Sequence, residues 1–243
     1  MRAILVRIGA DHSYGHWNAP VDPVSCEFVY VPIPDSEKKR YRPRCRRGYR
    51  EILPALRKFS EKCGIQGDFH FPRQLWPCAM HLDPDFETLT YGDNGRRRGK
   101  QIAKLQENDL LVFYAGLRSI KAETKLVYAL VGVYFVQEVI RAVDVSARRY
   151  SENAHTRWRP ISEDDIIVRA KTGISGRFKR CIPIGEWRNR SYRVRKSILK
   201  AWGGLSVNDG YIQRSARPPE FLKPKKFLRW LQTQKVELSE RIN

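Results

Sequence analysis

The chain has 243 residues, of which 42% are hydrophobic and 11% aromatic, enough for a folded core, so a disordered tail is excluded. Lys and Arg number 46 against 26 Asp and Glu, a net charge of +20 at neutral pH. So positive a surface repels itself unless a polyanion is its working environment; nucleic acid leads, with a ribosomal or anionic-lipid partner behind it.

The N-terminus reads as a strand at 2–8, a polar loop at 9–23 and a second strand at 27–33, together a long hairpin or strand pair. No signal-peptide pattern precedes it, and an intracellular, cytoplasmic protein is expected. Between Lys38 and Arg50 stand eight basic residues and no acidic one. Ile52, Leu53, Leu56 and Phe59 then fall at helical spacing, which predicts a helix over 49–62. The stretch 68–94 is rich in aromatics, prolines and aspartates without a period, so it reads as a structured loop of the functional kind. A short basic helix at 95–105 leads into two β-rich runs, 109–114 and 126–139, that form a central hairpin. The longest apolar run, 126–136, is far short of the roughly 20 residues a membrane span requires, so no membrane association is expected.

Strands at 166–170 and 181–184 follow, then helices at 192–202 and 224–238, the second with Pro224 in its first turn. Without repeats or a compositional break, one α+β domain over 1–243 is the simplest organisation.

Three basic clusters stand out: Lys38 to Arg50 with Arg44, Arg46 and Arg47; Arg96 to Lys104; and Arg177 to Lys200, which holds Lys179 and Arg180. Any one basic run is as readily a solvated face as a binding surface. Three of them, with Tyr41, Tyr49, Trp187, Tyr192 and Trp202 in or beside them, fit cations on phosphates and aromatics stacked on bases. Helical spacing favours the core for Trp202 and leaves Trp187 as the better exposed platform.

Chemistry is less legible. The five cysteines are scattered without C-x-x-C spacing, so they read as free thiols, and neither a disulfide framework nor a structural zinc site is expected. Asp11 to His16 brings Asp, Ser and His together in sequence, but a triad is a matter of geometry. His81-Leu82-Asp83-Pro84-Asp85 offers three ligating or acid–base groups. If Asp83 or Asp85 joined Glu123 or Glu138 and Lys125 or Lys171 around a divalent ion, a nuclease or nucleotide-modifying centre would result. Asp-Pro-Asp is equally a common turn. No phosphate-loop motif is present and no cofactor is called for outside that alternative.

Several phrases resemble the third type of nucleotide modification associated domain: Arg7 to Gly15, Pro32-Ile33-Pro34, His81 to Asp85, Tyr91-Gly92-Asp93 and Asn108 to Arg118. The match covers about residues 2–140 and continues faintly through Asn153-Ala154-His155 and Ser175 to Arg180. The runs 109–114 and 128–136 also look like the hairpin of PUA-like barrels of the EVE, YTH and ASCH group. The resemblance implies a PUA-like mixed barrel or strongly curved sheet over about 1–185, flanked by C-terminal helices at about 190–240. It implies a pocket for one modified base, with Tyr14, Trp17, Tyr91 and Tyr114 to stack it. Arg7, Ser13, His81, Asp83, Asp85 and Arg118 would supply edge or phosphate contacts, and DNA or RNA is the expected partner. An enzyme built on His81, Asp83 and Asp85, and a structural polyanion-binding protein, are the alternatives.

Overall fold

The computed structural model describes the chain except for residues 12–16, 37–38, 66–68, 70, 97, 122–125 and 214–216. Its principal elements are β1 (Ala3–Arg7), α1 (Leu53–Lys62), β2 (Thr90–Asn94), β3 (Leu110–Ser119), β4 (Leu126–Arg141), α2 (Ala154–Arg157), β5 (Asp165–Ala170), β6 (Gly176–Pro183), β7 (Gly185–Arg188), β8 (Ser191–Val194), α3 (Lys196–Trp202) and α4 (Pro224–Thr233).

The expected central hairpin is β3 and β4, antiparallel from Leu110 opposite Phe135 to Arg118 opposite Leu126. β3 is an almost unbroken apolar run because both of its faces are covered. Leu111, Phe113, Ala115 and Leu117 face one core, with Leu56 and Phe59 of α1 and with Phe71 and Phe86. Leu110, Val112 and Tyr114 face a second core, with Trp202 of α3, Phe221, and Phe227 and Leu231 of α4. Trp202 is fully buried, as its spacing predicts.

The sheet runs β1-β3-β4-β5-β2, and β6 also pairs with β4. The 16-residue β4 serves two neighbours on its outer edge, β6 near its start and β5 near its end. Register shifts at Phe113/Tyr114, Arg169/Ala170 and Arg177/Ile182 bend the ladder as β-bulges do. The result is a large mixed sheet between helices that does not close into a PUA-like barrel.

Three local expectations change. Residues 27–33 do not form a strand beside β1; β1 pairs in parallel with β3 instead, Ala3 opposite Leu110. Phe28 to Val31 are buried, but their backbone is satisfied piecemeal: Val29 N–H by the Pro20 carbonyl, the Val31 carbonyl by Ala10 N–H, and Tyr30 by the Asn243 side chain. The expected helix at 95–105 is two short 3-10 turns. The expected helix at 192–202 begins only at Lys196, because Ser191–Val194 pairs with Gly185–Arg188 as a hairpin. α3 then stops where expected: Gly203 takes a left-handed φ of 78°, and the N–H groups of Gly203 and Gly204 close on the Lys200 and Leu199 carbonyls. No described helix is long and apolar enough to cross a membrane.

Candidate functional site

A cleft of about 650 Å³ opens where the end of β1 meets the edge strand β2. That size is in the range of small-molecule and cofactor sites. Its floor holds His81, Asp83 and His155, and its walls include Arg7, Asp11, Tyr91, Asp93 and Arg98.

Three segments distant in sequence deliver the floor. His81 ends a two-residue strand, Met80–His81, paired with Ile33–Pro34. Asp83 follows in the turn. His155 lies in the one-turn helix α2, whose N-cap Asn153 accepts the His155 N–H at 2.9 Å. The fully buried Asn153 also donates to Asp83 Oδ1 at 2.9 Å and to Thr90 Oγ1 at 3.1 Å. Gly92 N–H gives Asp83 Oδ1 a second donor at 2.9 Å. No side chain fits at Gly92: a Cβ there would stand 2.4 Å from His155 Cδ2 and 2.6 Å from Asn153 Oδ1.

Each imidazole is held from behind by a carboxylate. His81 Nδ1 is 3.1 Å from Asp35 Oδ1, and His155 Nδ1 is 2.6 Å from Asp165 Oδ2. The His81 ring stacks on Trp158, with centroids 5.5 Å apart and planes 16° from parallel, and Lys39 Nζ sits 3.3 Å from the Trp158 ring centroid. These supports leave both Nε2 atoms aimed at Asp83 Oδ2, each at 3.0 Å. Although both nitrogens are within ion-pair distance, Oδ2 has no hydrogen-bond partner in aligned geometry.

The electrostatics follow from this crowding. Burial alone would raise the Asp83 carboxyl, but the two histidines outweigh it and hold the group well below the usual carboxylate range. Burial would lower His155, yet Asp83 and Asp165 push it up to about 10; His81 rises against burial because of Asp83 and Asp35. Asp93 goes the other way, raised chiefly by desolvation, while the Tyr91 hydroxyl donates to its Oδ2 at 2.9 Å.

The model of the nucleotide modification associated domain 3 family matches residues 2–221. The chain belongs to this family. No curated protein and no solved structure matches it.

In this nucleotide modification associated domain, the predicted site residues separate into groups. Arg7, His81, Asp83, Tyr91 and Tyr114 border the cleft; Ser13 and Tyr14 lie outside the described residues. Tyr91 and Tyr114 are not open stacking platforms. Both rings are buried, Tyr91 tilted against Phe113, and the Tyr114 hydroxyl donates to the Ile212 carbonyl at 2.8 Å. Trp17 packs edge-on against Phe71.

Asp85 does not join Asp83. Fully buried, it accepts from Glu87 N–H and Thr88 N–H and pairs with Arg157 at 2.5 Å, so it closes a turn and neutralises a buried guanidinium. Glu138 pairs with Arg169 and Lys171 with Glu107, so neither completes the Asp83 centre; Glu123 and Lys125 lie outside the described residues.

The remaining cations are dispersed. Arg44 is exposed, Arg46 donates to the Pro77 carbonyl, and Arg47 pairs with Glu51 and Glu87. Arg118 is half-buried on β3, Lys179 pairs with Glu237, and Arg180 is exposed on β6. Trp187 is 61% exposed on the β7–β8 hairpin, edge-on to Tyr192. None of these lines the cleft.

The sequence reading missed His155, Asp35, Asp165 and Asn153 as site residues, and held Arg98 only as part of the basic cluster Arg96 to Lys104. The faint motif Asn153-Ala154-His155 was the available signal for two of them; the two carboxylates carried none.

Proposed function

We propose that the cleft receives one nucleotide unit of a nucleic acid, its phosphate on the Arg7–Arg98 wall and its reacting edge toward His81, Asp83 and His155. The observation that carries this reading is the convergence of two histidines and a carboxylate beneath two guanidinium groups in one cleft. Arg98 is exposed, and its guanidinium donates to the Arg7 carbonyl at 3.2 Å. Arg7 is ion-paired to Asp11 at 2.6 Å and donates to the Gln213 carbonyl, so it adds a fixed positive charge to the cleft lining beside Arg98. Family membership and the +20 charge supply the nucleotide context.

A floor made of titratable groups favours a site that acts on the nucleotide over one that only recognises a base, since the rings expected to stack a base are buried. Exposed Trp187, on a hairpin with Arg188, Arg190 and Arg193, supports a strand-holding role outside the cleft, where an aromatic platform tolerates any base.

The test is fluorescence anisotropy of labelled single-stranded DNA and RNA at two salt concentrations, with nucleoside monophosphates as competitors. Binding is expected to weaken as salt rises, to be competed by monophosphates, and to fall at least about tenfold in Arg98→Glu, the loss of one charge-assisted contact. Binding that no monophosphate competes and that Arg98→Glu leaves intact would place the nucleic acid elsewhere.

A further inference from the structure

We propose that His81 Nε2, Asp83 Oδ2 and His155 Nε2 form the protein half of a divalent transition-metal centre, with its remaining coordination positions open to the cleft. These three donor atoms come together within 4.8 Å of one another.

The first argument is the tautomer. Asp35 and Asp165 accept from the Nδ1 side of the two rings, which places an N–H there and turns each Nε2 inward. This carboxylate–histidine arrangement is the usual support behind a metal-bound imidazole, since it fixes the ring and raises its basicity. Two independent examples converge on one point here.

The second argument is the oxygen between them. Asp83 Oδ1 is satisfied by Gly92 N–H and Asn153, whereas Oδ2 is buried, lacks an aligned donor and has both Nε2 atoms at 3.0 Å. Three donor atoms this close need positive charge among them, and an ion bound here would supply it in place of the Nε2 protons. An ion about 2.1 Å from each donor sets neighbouring donors about 3.0 Å apart when its bonds meet at right angles. The two Nε2–Oδ2 spacings therefore match adjacent corners of one coordination shell.

The donor set decides the class of ion. Imidazole nitrogens disfavour Mg²⁺ and Ca²⁺, which take oxygen, and two histidines with one carboxylate suit Fe²⁺, Mn²⁺, Co²⁺ or Zn²⁺. Such an ion would polarise a phosphoryl or carbonyl oxygen, or activate a water, in the space where the nucleotide is proposed. The centre deepens the nucleotide reading, but it is measured without nucleotide, so either idea can fail alone.

The experiment strips the full chain with chelator and titrates it with Co²⁺, following visible absorption and, separately, metal content after gel filtration. One Co²⁺ per chain with ligand-field bands is expected, displaced by Zn²⁺ and not by a large excess of Mg²⁺. His81→Gln and His155→Gln should each weaken binding at least about tenfold, and Asp165→Asn by about 10–100-fold as support behind a ligand. Asp83→Asn, nearly isosteric and still able to accept at Oδ1, serves as the variant least disturbing to the fold. Failure of the wild-type chain to bind Co²⁺ would overturn the proposal. So would stoichiometric binding unchanged in His81→Gln and His155→Gln.

Discussion

Gly92→Ala is the sharpest mechanical probe of the site. The added methyl would lie 2.4 Å from His155 Cδ2, 2.6 Å from Asn153 Oδ1 and 3.0 Å from His155 Cγ, and all three belong to groups fixed by hydrogen bonds. None is the free end of a flexible side chain, so either α2 with its histidine moves or β2 leaves β5. Overpacking of this kind costs about 1–3 kcal/mol. For a chain this long each kcal/mol moves the melting temperature by about 2–4 °C, so a fall of roughly 2–12 °C is expected. Displacing His155 also separates Nε2 from Asp83, and Co²⁺ affinity should drop with stability. Thermal melts and Co²⁺ titrations of Gly92→Ala would be read beside Gly48→Ala. There the new methyl approaches only the Arg46 guanidinium, at 3.8 Å, and both quantities should hold. If Gly92→Ala melts and binds Co²⁺ like the parent chain, the packing argument for the cluster is wrong.

Three other outcomes follow from the same structure. Arg157→Met removes the partner of the buried Asp85 carboxylate and should destabilise by about 3–5 kcal/mol in urea unfolding, the usual penalty for stranding a buried charge; a loss under 1 kcal/mol would mean that Asp85 reaches water. Trp202→Ala empties the centre of the C-terminal core, where its ring meets Phe221, Phe227 and Trp230, and should cost about 3–5 kcal/mol by the same measurement. Cys26, brought down to about 6 chiefly by a hydrogen bond with the Cys181 thiol, becomes a thiolate as pH rises through that value. Iodoacetamide at pH 7 should therefore modify Cys26 ahead of Cys63, which burial pushes up, and Cys181→Ala should move the Cys26 profile upward; equal rates at the two thiols would refute the pairing.

The fold was legible wherever one segment carries its own signal. The apolar runs of β3 and β4, the helical spacing that buries Leu56 and Phe59, and the glycine pair after Trp202 each dictate a local structure. Pairing between distant segments carries no such signal. β1 lies in parallel beside a strand more than a hundred residues away, and the apolar stretch at 28–31 is used as buried irregular chain rather than as its neighbour.

The site divides along the same line. His81 and Asp83 stood out because they are neighbours in sequence, but Asp85, two residues on, turns to a buried arginine. The third member of the cluster, His155, comes from a one-turn helix that no periodicity announces. Tyr91 and Tyr114 were reasonable stacking candidates by type. Whether a tyrosine offers its ring or only its hydroxyl depends on packing, and here Phe113 and the Ile212 carbonyl claim them.

The most direct measurement of the central claim is an NMR titration of the chain, ¹⁵N-labelled at histidine, with a short single-stranded oligonucleotide. If the cleft takes a nucleotide unit, the imidazole signals of His81 and His155 shift in proportion to bound oligonucleotide, and Arg98→Glu raises the oligonucleotide concentration needed for those shifts at least about tenfold. An oligonucleotide that binds tightly while those two signals stay in place would contradict the account.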